Sequence, residues 1–243
     1  MKKAKLLCHE DIQEAMKDRT AVVVLSGGQD SVTCLGWAVK MYAEVHCIGF
    51  KYGQKHEIEL EQARKICMSM GVSFNVHSIP SLKHLGDSAL TTKGDVNTQH
   101  HRNENLPASF VPNRNALFLT IAHAYAQRIG AGDIVTGVCQ TDYSGYPDCR
   151  NEFVTQLEKT LNIGYETNIR IQTPLMYLTK AETFALAEEC EVLDTVIEHS
   201  HTCYNGNRET RNEWGYGCGG CPACELRARG YEEYKWYKEA DNA

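Results

Sequence analysis

The sequence has no apolar run approaching the length of a membrane span. Its opening residues, Met1-Lys2-Lys3-Ala4-Lys5-Leu6-Leu7-Cys8-His9-Glu10, begin basic but lack the apolar stretch an export signal needs. A soluble, cytoplasmic protein without a membrane partner is therefore expected. Basic excess is missing too: 25 Lys and Arg stand against 31 Asp and Glu, a net charge of −6. Broad nucleic-acid binding relies on cations that neutralise phosphates, so no direct nucleic-acid partner is expected, although a local basic pocket is compatible with this balance. There is no internal repeat and no low-complexity tract. The glycine pair Gly27-Gly28 is followed by no lysine before Lys40, which excludes a Walker-type loop. The three spaced glycines and ribose-binding acid of a dinucleotide fingerprint are also absent.

Present instead is Ala21-Val22-Val23-Val24-Leu25-Ser26-Gly27-Gly28-Gln29-Asp30-Ser31. The apolar, β-branched start reads as a fully buried strand. From Asp30 the apolar spacing suits a helix. A strand that passes through two glycines into a helix N-terminus makes an anion site, because free N–H groups and the helix dipole face the charge. Further strands are expected at 45–50, 72–76, 134–138 and 168–171. Helices are expected from Lys55 to Gly71 and from Asn113 to Arg128, with Gly130 as terminator, and around 151–162 and 179–190. Residues 1–20 form a short helical extension with Ile12, Ala15 and Met16 on one face.

This alternation predicts an α/β fold, a Rossmann-like parallel five-stranded sheet with helices on both faces. Ligands of such sheets bind beyond the strand C-termini. That rule directs attention to 26–31, 51–56 and 139–150. Residues 80–111 lack periodicity and read as a long loop or lid. The expected organisation is an extension over 1–20, an α/β domain over 21–200 and a small C-terminal module with a tail helix over 201–243.

Eleven cysteines without an export signal do not read as a disulfide scaffold. Cys34, Cys47, Cys67, Cys139 and Cys190 sit singly in apolar segments, as small buried hydrophobes do. Cys218-Gly219-Gly220-Cys221-Pro222-Ala223-Cys224 differs, since two-residue gaps turn successive thiolates toward one ion, and Cys203 supplies a fourth. Four thiolates make a closed structural zinc site. Iron–sulfur ligation and plain thiols or disulfides are the alternatives. The connection 204–217 is polar and expected to be exposed.

Taken together, Leu25–Leu35, Tyr52-Gly53-Gln54-Lys55-His56, Phe110-Val111-Pro112-Asn113-Arg114-Asn115, Thr136–Arg150, Thr173–Met176 with Lys180–Thr183, and Thr202–Gly206 with the cysteine trio resemble the 7-cyano-7-deazaguanine synthases. These belong to the adenylating enzymes with an adenine nucleotide alpha-hydrolase-like fold, and the likeness covers 21 to about 235. The chain departs from the family pattern at Lys55 (usually Arg), at Asn113 (usually Gly) and in a longer gap after the first cysteine.

The resemblance implies ATP, Mg²⁺ and one structural Zn²⁺ per chain. It implies 7-carboxy-7-deazaguanine and ammonia as substrates, a homodimer, and nitrile formation through adenylated intermediates. An amide-forming relative or another adenylating base-modification enzyme is the alternative; a zinc-ribbon binding module is the rival from another class. Leu25, Ser26, Gly27, Gly28, Gln29, Asp30, Ser31, Val32, Thr33, Cys34 and Leu35 are expected to hold ATP, with Asp30 turned to Mg²⁺ or to the loop's own amides. Lys55 and Arg114 are expected on phosphate or carboxylate, and His56 on proton transfer or on capping its helix. Asp142, Tyr143, Tyr146, Asp148 and Arg150 are expected around the purine-like ring, with turn-capping as the other role for the two aspartates.

Overall fold

In the computed structural model, which describes residues 7–80, 82, 88–92, 94–100, 103–141 and 146–241, a short helix α1 (Glu10–Met16) leads into strand β1 (Thr20–Val24). Ile12 and Met16 pack on the core; Ala15 is exposed. Around β1, Ala21, Val23 and Leu25 turn to one face and Val22 and Val24 to the other. This is the period of a pleated strand, and it puts β1 in the middle of the fold, with apolar contacts on both sides. Each fully buried valine there contributes roughly 1.5–3 kcal/mol.

Helix α2 (Gln29–Met41) follows, then β2 (Glu44–Lys51), α3 (Ile58–Met70) and β3 (Ser73–Ser78). Next come two short strands, β4 (Gln99–His100) and β5 (Asn103–Pro107), helix α4 (Arg114–Ile129) and β6 (Asp133–Val135). After a 3₁₀ turn at Pro147–Cys149 the chain forms α5 (Asn151–Tyr165), β7 (Arg170–Gln172), α6 (Lys180–Glu189) and α7 (Leu193–His199). It closes with β8 (Arg211–Asn212), β9 (Gly215–Tyr216) and α8 (Pro222–Asp241).

Among the described residues five parallel strands make one sheet in the order β3-β2-β1-β6-β7. The apolar faces of α2, α3, α6 and α7 cover one side of it, and those of α4 and α5 the other. The expected α/β architecture is therefore the observed one. Helices α3 and α4 end at Gly71 and Gly130, as their sequence signals indicate. No helix among the described residues is long and apolar enough to cross a membrane.

The order runs outward from β1 to β2 and β3, then returns to β6 on the other flank. This reversal opens a crevice at the strand C-termini between β1 and β6. Strand β6 is shorter than expected. Thr136 still donates to the Gln172 carbonyl at 3.0 Å, but residues 138–141 leave the sheet, and Gln140 donates to the Met176 carbonyl at 3.0 Å.

Two loop expectations are corrected. Within 80–111 the described residues include the β4–β5 pair, and Ala89, Val96 and Ala108 are buried in a satellite cluster with Cys203, Trp214, Cys221 and Cys224. The connection 204–217 holds the β8–β9 hairpin and is not simply exposed, because Trp214 packs into that same cluster at 8% exposure. In both segments isolated small or aromatic residues, without helical or strand periodicity, join this cluster beside the cysteines.

Candidate active site

The four cysteines of the C-terminal cluster arrive from separate elements. Cys203 follows α7, Cys218 follows β9, and Cys221 and Cys224 flank the start of α8. Their Sγ atoms all lie within 4.8 Å of one another. A tetrahedral ion with metal–sulfur bonds of about 2.3 Å spaces its sulfurs by roughly 3.8 Å, so the cluster fits a metal ion with little movement. Asn205 Nδ2 stands 3.5 Å from Cys218 Sγ as an outer donor. Replacing Cys203 by Ser is expected to weaken metal affinity by more than about 100-fold and to lower thermal stability. Metal analysis and unfolding scans with and without chelator check this. A variant that kept its metal and its melting temperature would refute a structural role.

The loop after β1 is held by its own hydroxyls. Ser31 Oγ accepts from the N–H groups of Ser26 (3.2 Å) and Gly27 (3.1 Å) and donates to the Gly28 carbonyl (3.0 Å). Gly28 N–H donates to Ser26 Oγ at 3.3 Å. Gly27 has φ +93°, and a Cβ there would stand 2.1 Å from the Glu59 carbonyl oxygen, so the first turn of α3 lies directly against the loop. From the other side, His201 N–H donates to the Gly27 carbonyl at 2.8 Å, and Gln29 N–H donates to Thr202 Oγ1 at 3.2 Å. Arg227, fully buried on α8, donates to that same hydroxyl at 3.1 Å and to the carbonyls of Trp214 (2.9 Å) and Val196 (2.8 Å).

A cavity of about 290 Å³ opens above this loop, at the crevice between β1 and β6. Of the expected nucleotide residues, Leu25, Ser26, Gly28, Gln29, Asp30 and Ser31 line it. Val32, Thr33, Cys34 and Leu35 are buried in the core below, where they anchor α2. Asp30 does not turn to the loop amides. Both its carboxylate oxygens accept from Lys180 Nζ, at 2.8 and 2.9 Å. Lys180 opens α6, and the sequence reading assigned it no role.

Lys55, His56 and Arg114 also line the cavity. Lys55 Nζ donates to the Gly94 carbonyl at 2.8 Å. His56 does not cap α3, whose N-cap Glu57 makes no side-chain capping bond; its ring lies against Gly206, where a Cβ would stand 2.6 Å away. Asn113 adopts φ +58° at the start of α4. Asparagine tolerates that conformation better than most residues, so it serves where the family pattern has glycine. It delivers Arg114 between Tyr52 and Tyr146, each ring centroid 6.0 Å from the guanidinium carbon. Burial works against the Arg114 charge, but Tyr52, Tyr146 and Asp148 outweigh it and hold its pKa above the ordinary value.

The residues expected around the ring divide. Tyr146 lines the cavity, with its hydroxyl 2.6 Å from Ser109 Oγ and 3.5 Å from the Tyr204 hydroxyl. Asp148 sits behind the wall, accepts from Asn115 N–H at 3.2 Å and so caps the start of α4. Burial raises its carboxyl pKa, opposed by Arg114. Arg150 is exposed and is not part of the lining. Asp142 and Tyr143 lie outside the described residues.

Besides Lys180, the sequence reading gave no role to Tyr52, Glu59, Thr202, Tyr204 or Arg227, all of which line the cavity. Burial pushes the Glu59 carboxyl up to about 7, with Arg114 pulling it down and Cys203 raising it.

The family model described as "Queuosine biosynthesis protein QueC" matches residues 20–235. A 7-cyano-7-deazaguanine synthase of Wolinella succinogenes is 56% identical over 223 residues, covering 91% of this chain and 96% of its own. Another with that name, from Helicobacter pylori strain P12, is 47% identical over 222 residues, covering 90% and 97%. One from Alkalilimnicola ehrlichii is 43% identical over 236 residues, covering 92% and 98%. Among solved structures, the NMN synthetase of Francisella tularensis matches with a TM-score of 0.48 and 16% identity, over 80% of this chain and 72% of that one. The matched span runs from the first strand of the sheet into the last helix, taking in the loop, the cavity and all four cysteines, and on that ground the chain belongs to the family of queuosine biosynthesis proteins QueC.

Proposed function

We propose that the protein converts 7-carboxy-7-deazaguanine and ammonia to 7-cyano-7-deazaguanine with consumption of ATP. The observation that carries this reading is the 56% identity, over nearly all of both chains, with a relative named for that synthesis. A carboxylate is a poor electrophile. Its attack on the α-phosphorus of ATP gives an acyl-adenylate and pyrophosphate, and ammonia then displaces AMP to leave an amide. Adenylation of the amide oxygen gives a second leaving group, whose loss forms the nitrile.

Several residues fit these steps. The loop 26–31 and the N-terminus of α2 receive the phosphates. Lys180, oriented by Asp30, brings to the pyrophosphate the positive charge that a Walker lysine supplies elsewhere. Arg114, desolvated between two tyrosines, is suited to the substrate carboxylate, and Tyr52, Tyr146 and Tyr204 offer faces and hydroxyls to a planar heterocycle. Lys55 stands at the mouth. The four cysteines would hold zinc as a structural ion. Mg²⁺ would accompany the pyrophosphate, and Asp30, with both oxygens on Lys180, does not fit as its ligand in this arrangement. A cytoplasmic homodimer that handles small molecules and not nucleic acid completes the reading. Its chain comprises an extension (1–20), the α/β unit (21–200) and the cysteine module with its helix (201–243).

Oxygen leaves carbon twice, and neither hydroxide nor oxide departs unaided at neutral pH. Two ATP are therefore expected to yield two AMP and two pyrophosphate per nitrile, with no ADP. Quantitative chromatography and mass spectrometry of a reaction containing the acid, ATP and ammonium measure this. An amide with a single AMP would make the protein an amide-forming relative. ADP with orthophosphate would overturn adenylation.

A further inference from the structure

Thr202 follows α7 and lines the cavity together with Gly28, Gln29 and Lys180. Its hydroxyl oxygen accepts twice: from Gln29 N–H, at the start of α2, at 3.2 Å, and from Arg227 Nη1 at 3.1 Å. Neither bond can run the other way, because an amide N–H and a guanidinium have only hydrogens to offer. A hydroxyl oxygen has two acceptor sites and carries one hydrogen. Both acceptor sites are filled, so the hydrogen has one direction left, and among the described residues it meets no acceptor there. Thr202 is partly exposed on the cavity side, whereas Arg227 behind it is 1% exposed.

Arg227 has little freedom to release that hydroxyl. Its Nε donates to the Trp214 carbonyl and its Nη2 to the Val196 carbonyl, and Gly215 makes room for it, since a Cβ there would stand 2.6 Å from Nη2. All three acceptors are neutral oxygens, so the guanidinium keeps its charge to polarise the hydroxyl as a donor. The same helix, α8, also backs the lysine of the site: a Cβ on Gly230 would stand 2.5 Å from Lys180 Cβ.

We propose that Thr202 donates its hydroxyl hydrogen to the pyrophosphate part of ATP, and that Arg227 is the positioning residue that aims it there. The proposal rests on the ATP-using reading above. A phosphate oxygen is an acceptor only. A threonine free to rotate would turn its lone pairs to that anion part of the time; one pinned through both lone pairs presents the hydrogen before the ligand arrives, which spares the cost of ordering it on binding. The loop and the N-terminus of α2 approach the phosphates from β1, and Lys180 brings charge from α6. Thr202 adds a neutral donor from the side of the cysteine module.

The test measures binding of ATP, inorganic pyrophosphate and AMP by calorimetry, without the deazaguanine acid. It compares wild type with Thr202→Val, Thr202→Ser, Arg227→Met and the double variant Thr202→Val with Arg227→Met. Thr202→Val keeps the shape and loses the donor. It is expected to weaken ATP and pyrophosphate by roughly 10- to 100-fold, as loss of a hydrogen bond to a charged group does, and AMP by less than about threefold. Thr202→Ser should restore most of the affinity. Arg227→Met should weaken the same two ligands, yet cost little more once Thr202 is already Val, because the group it aims is gone. Exchange at the Gln29 amide reports the seat of the loop separately, and Arg227→Met should leave that amide protected. Thermal unfolding accompanies every variant; if Arg227→Met does not fold, Arg227→Lys, which keeps the charge without the fork, replaces it in the comparison.

Equal affinity of Thr202→Val and wild type for ATP and pyrophosphate would overturn the phosphate role. Additive losses in the double variant would overturn the positioning role of Arg227. Affinity lost only in variants whose Gln29 amide also loses protection would leave Thr202 as a seat for the loop and nothing more. A wild type that binds ATP and pyrophosphate but makes no nitrile removes the proposed function and not this inference; a wild type that makes nitrile beside an indifferent Thr202→Val removes the inference alone.

Discussion

Replacing Lys180 by Met is expected to lower ATP-dependent turnover by about 10²–10³-fold, the usual loss when a single preorganised charge at a reacting centre is removed. Lys180 is the cation bonded through both oxygens to the aspartate of the glycine loop, and it stands at the cavity wall where pyrophosphate charge would develop. The Asp30 side chain is 30% exposed and that of Lys180 9%, so losing the pair costs stability only modestly, about 1–2 kcal/mol, well short of a fully buried pair. The loss should therefore appear in turnover at a temperature where the variant stays folded. Lys180→Arg keeps the charge and should recover part of the rate. Pyrophosphate release assays, with thermal unfolding alongside, measure both. A Lys180→Met variant with wild-type turnover would show that the lysine only steadies Asp30.

Replacing Gly27 by Ala should be nearly as damaging for a different reason. At φ +93° a side chain is strained, and its Cβ would meet the Glu59 carbonyl oxygen at 2.1 Å and the Ala63 nitrogen at 3.2 Å. Both are backbone atoms of α3, so relief requires moving a helix that contributes Ala63, Ile66 and Cys67 to the core. Strain and overpacking together amount to roughly 2–5 kcal/mol, or about 5–15 °C in melting temperature for a chain of this size. Gly28 provides the internal control. A Cβ there finds its nearest neighbour at an ordinary 3.5 Å, so Gly28→Ala should melt close to wild type. If both alanine variants melted alike, the contact between α3 and the loop would not have the importance given to it.

The core strand, the glycine loop and the cysteine cluster were legible because each is a local signal. β-branched runs, adjacent glycines and two-residue cysteine gaps speak for themselves within a few positions. Lys180 was not, although a clue exists. It occupies the first turn of α6, inside the Thr179–Glu182 capping box, where the helix dipole disfavours a cation. A lysine in that place asks for a carboxylate, and the one it finds is Asp30. Glu59 carries no such mark, since an acid in a first turn is ordinary; only the approach of α3 to Gly27 gives it a cavity to face. Asp148, expected on the ring or as a turn cap, accepts from the Asn115 N–H at the start of α4. Arg227 lies on a polar helix, and it is buried by partners that its local sequence does not announce: the carbonyls of Trp214 and Val196 and the Thr202 hydroxyl.

Thr202 has a bearing on the protein's birth as well as on its work. Its hydroxyl accepts from Gln29 N–H across 173 residues of sequence and is itself held by Arg227. A growing chain emerging from a ribosome has its glycine loop, β1 and α2 early, but it lacks the seat of that loop until the last helix has emerged and docked. The seat of the loop is therefore a contact between distant parts of the chain, and the loop, the segment around Thr202 and the C-terminal helix acquire their final shape together.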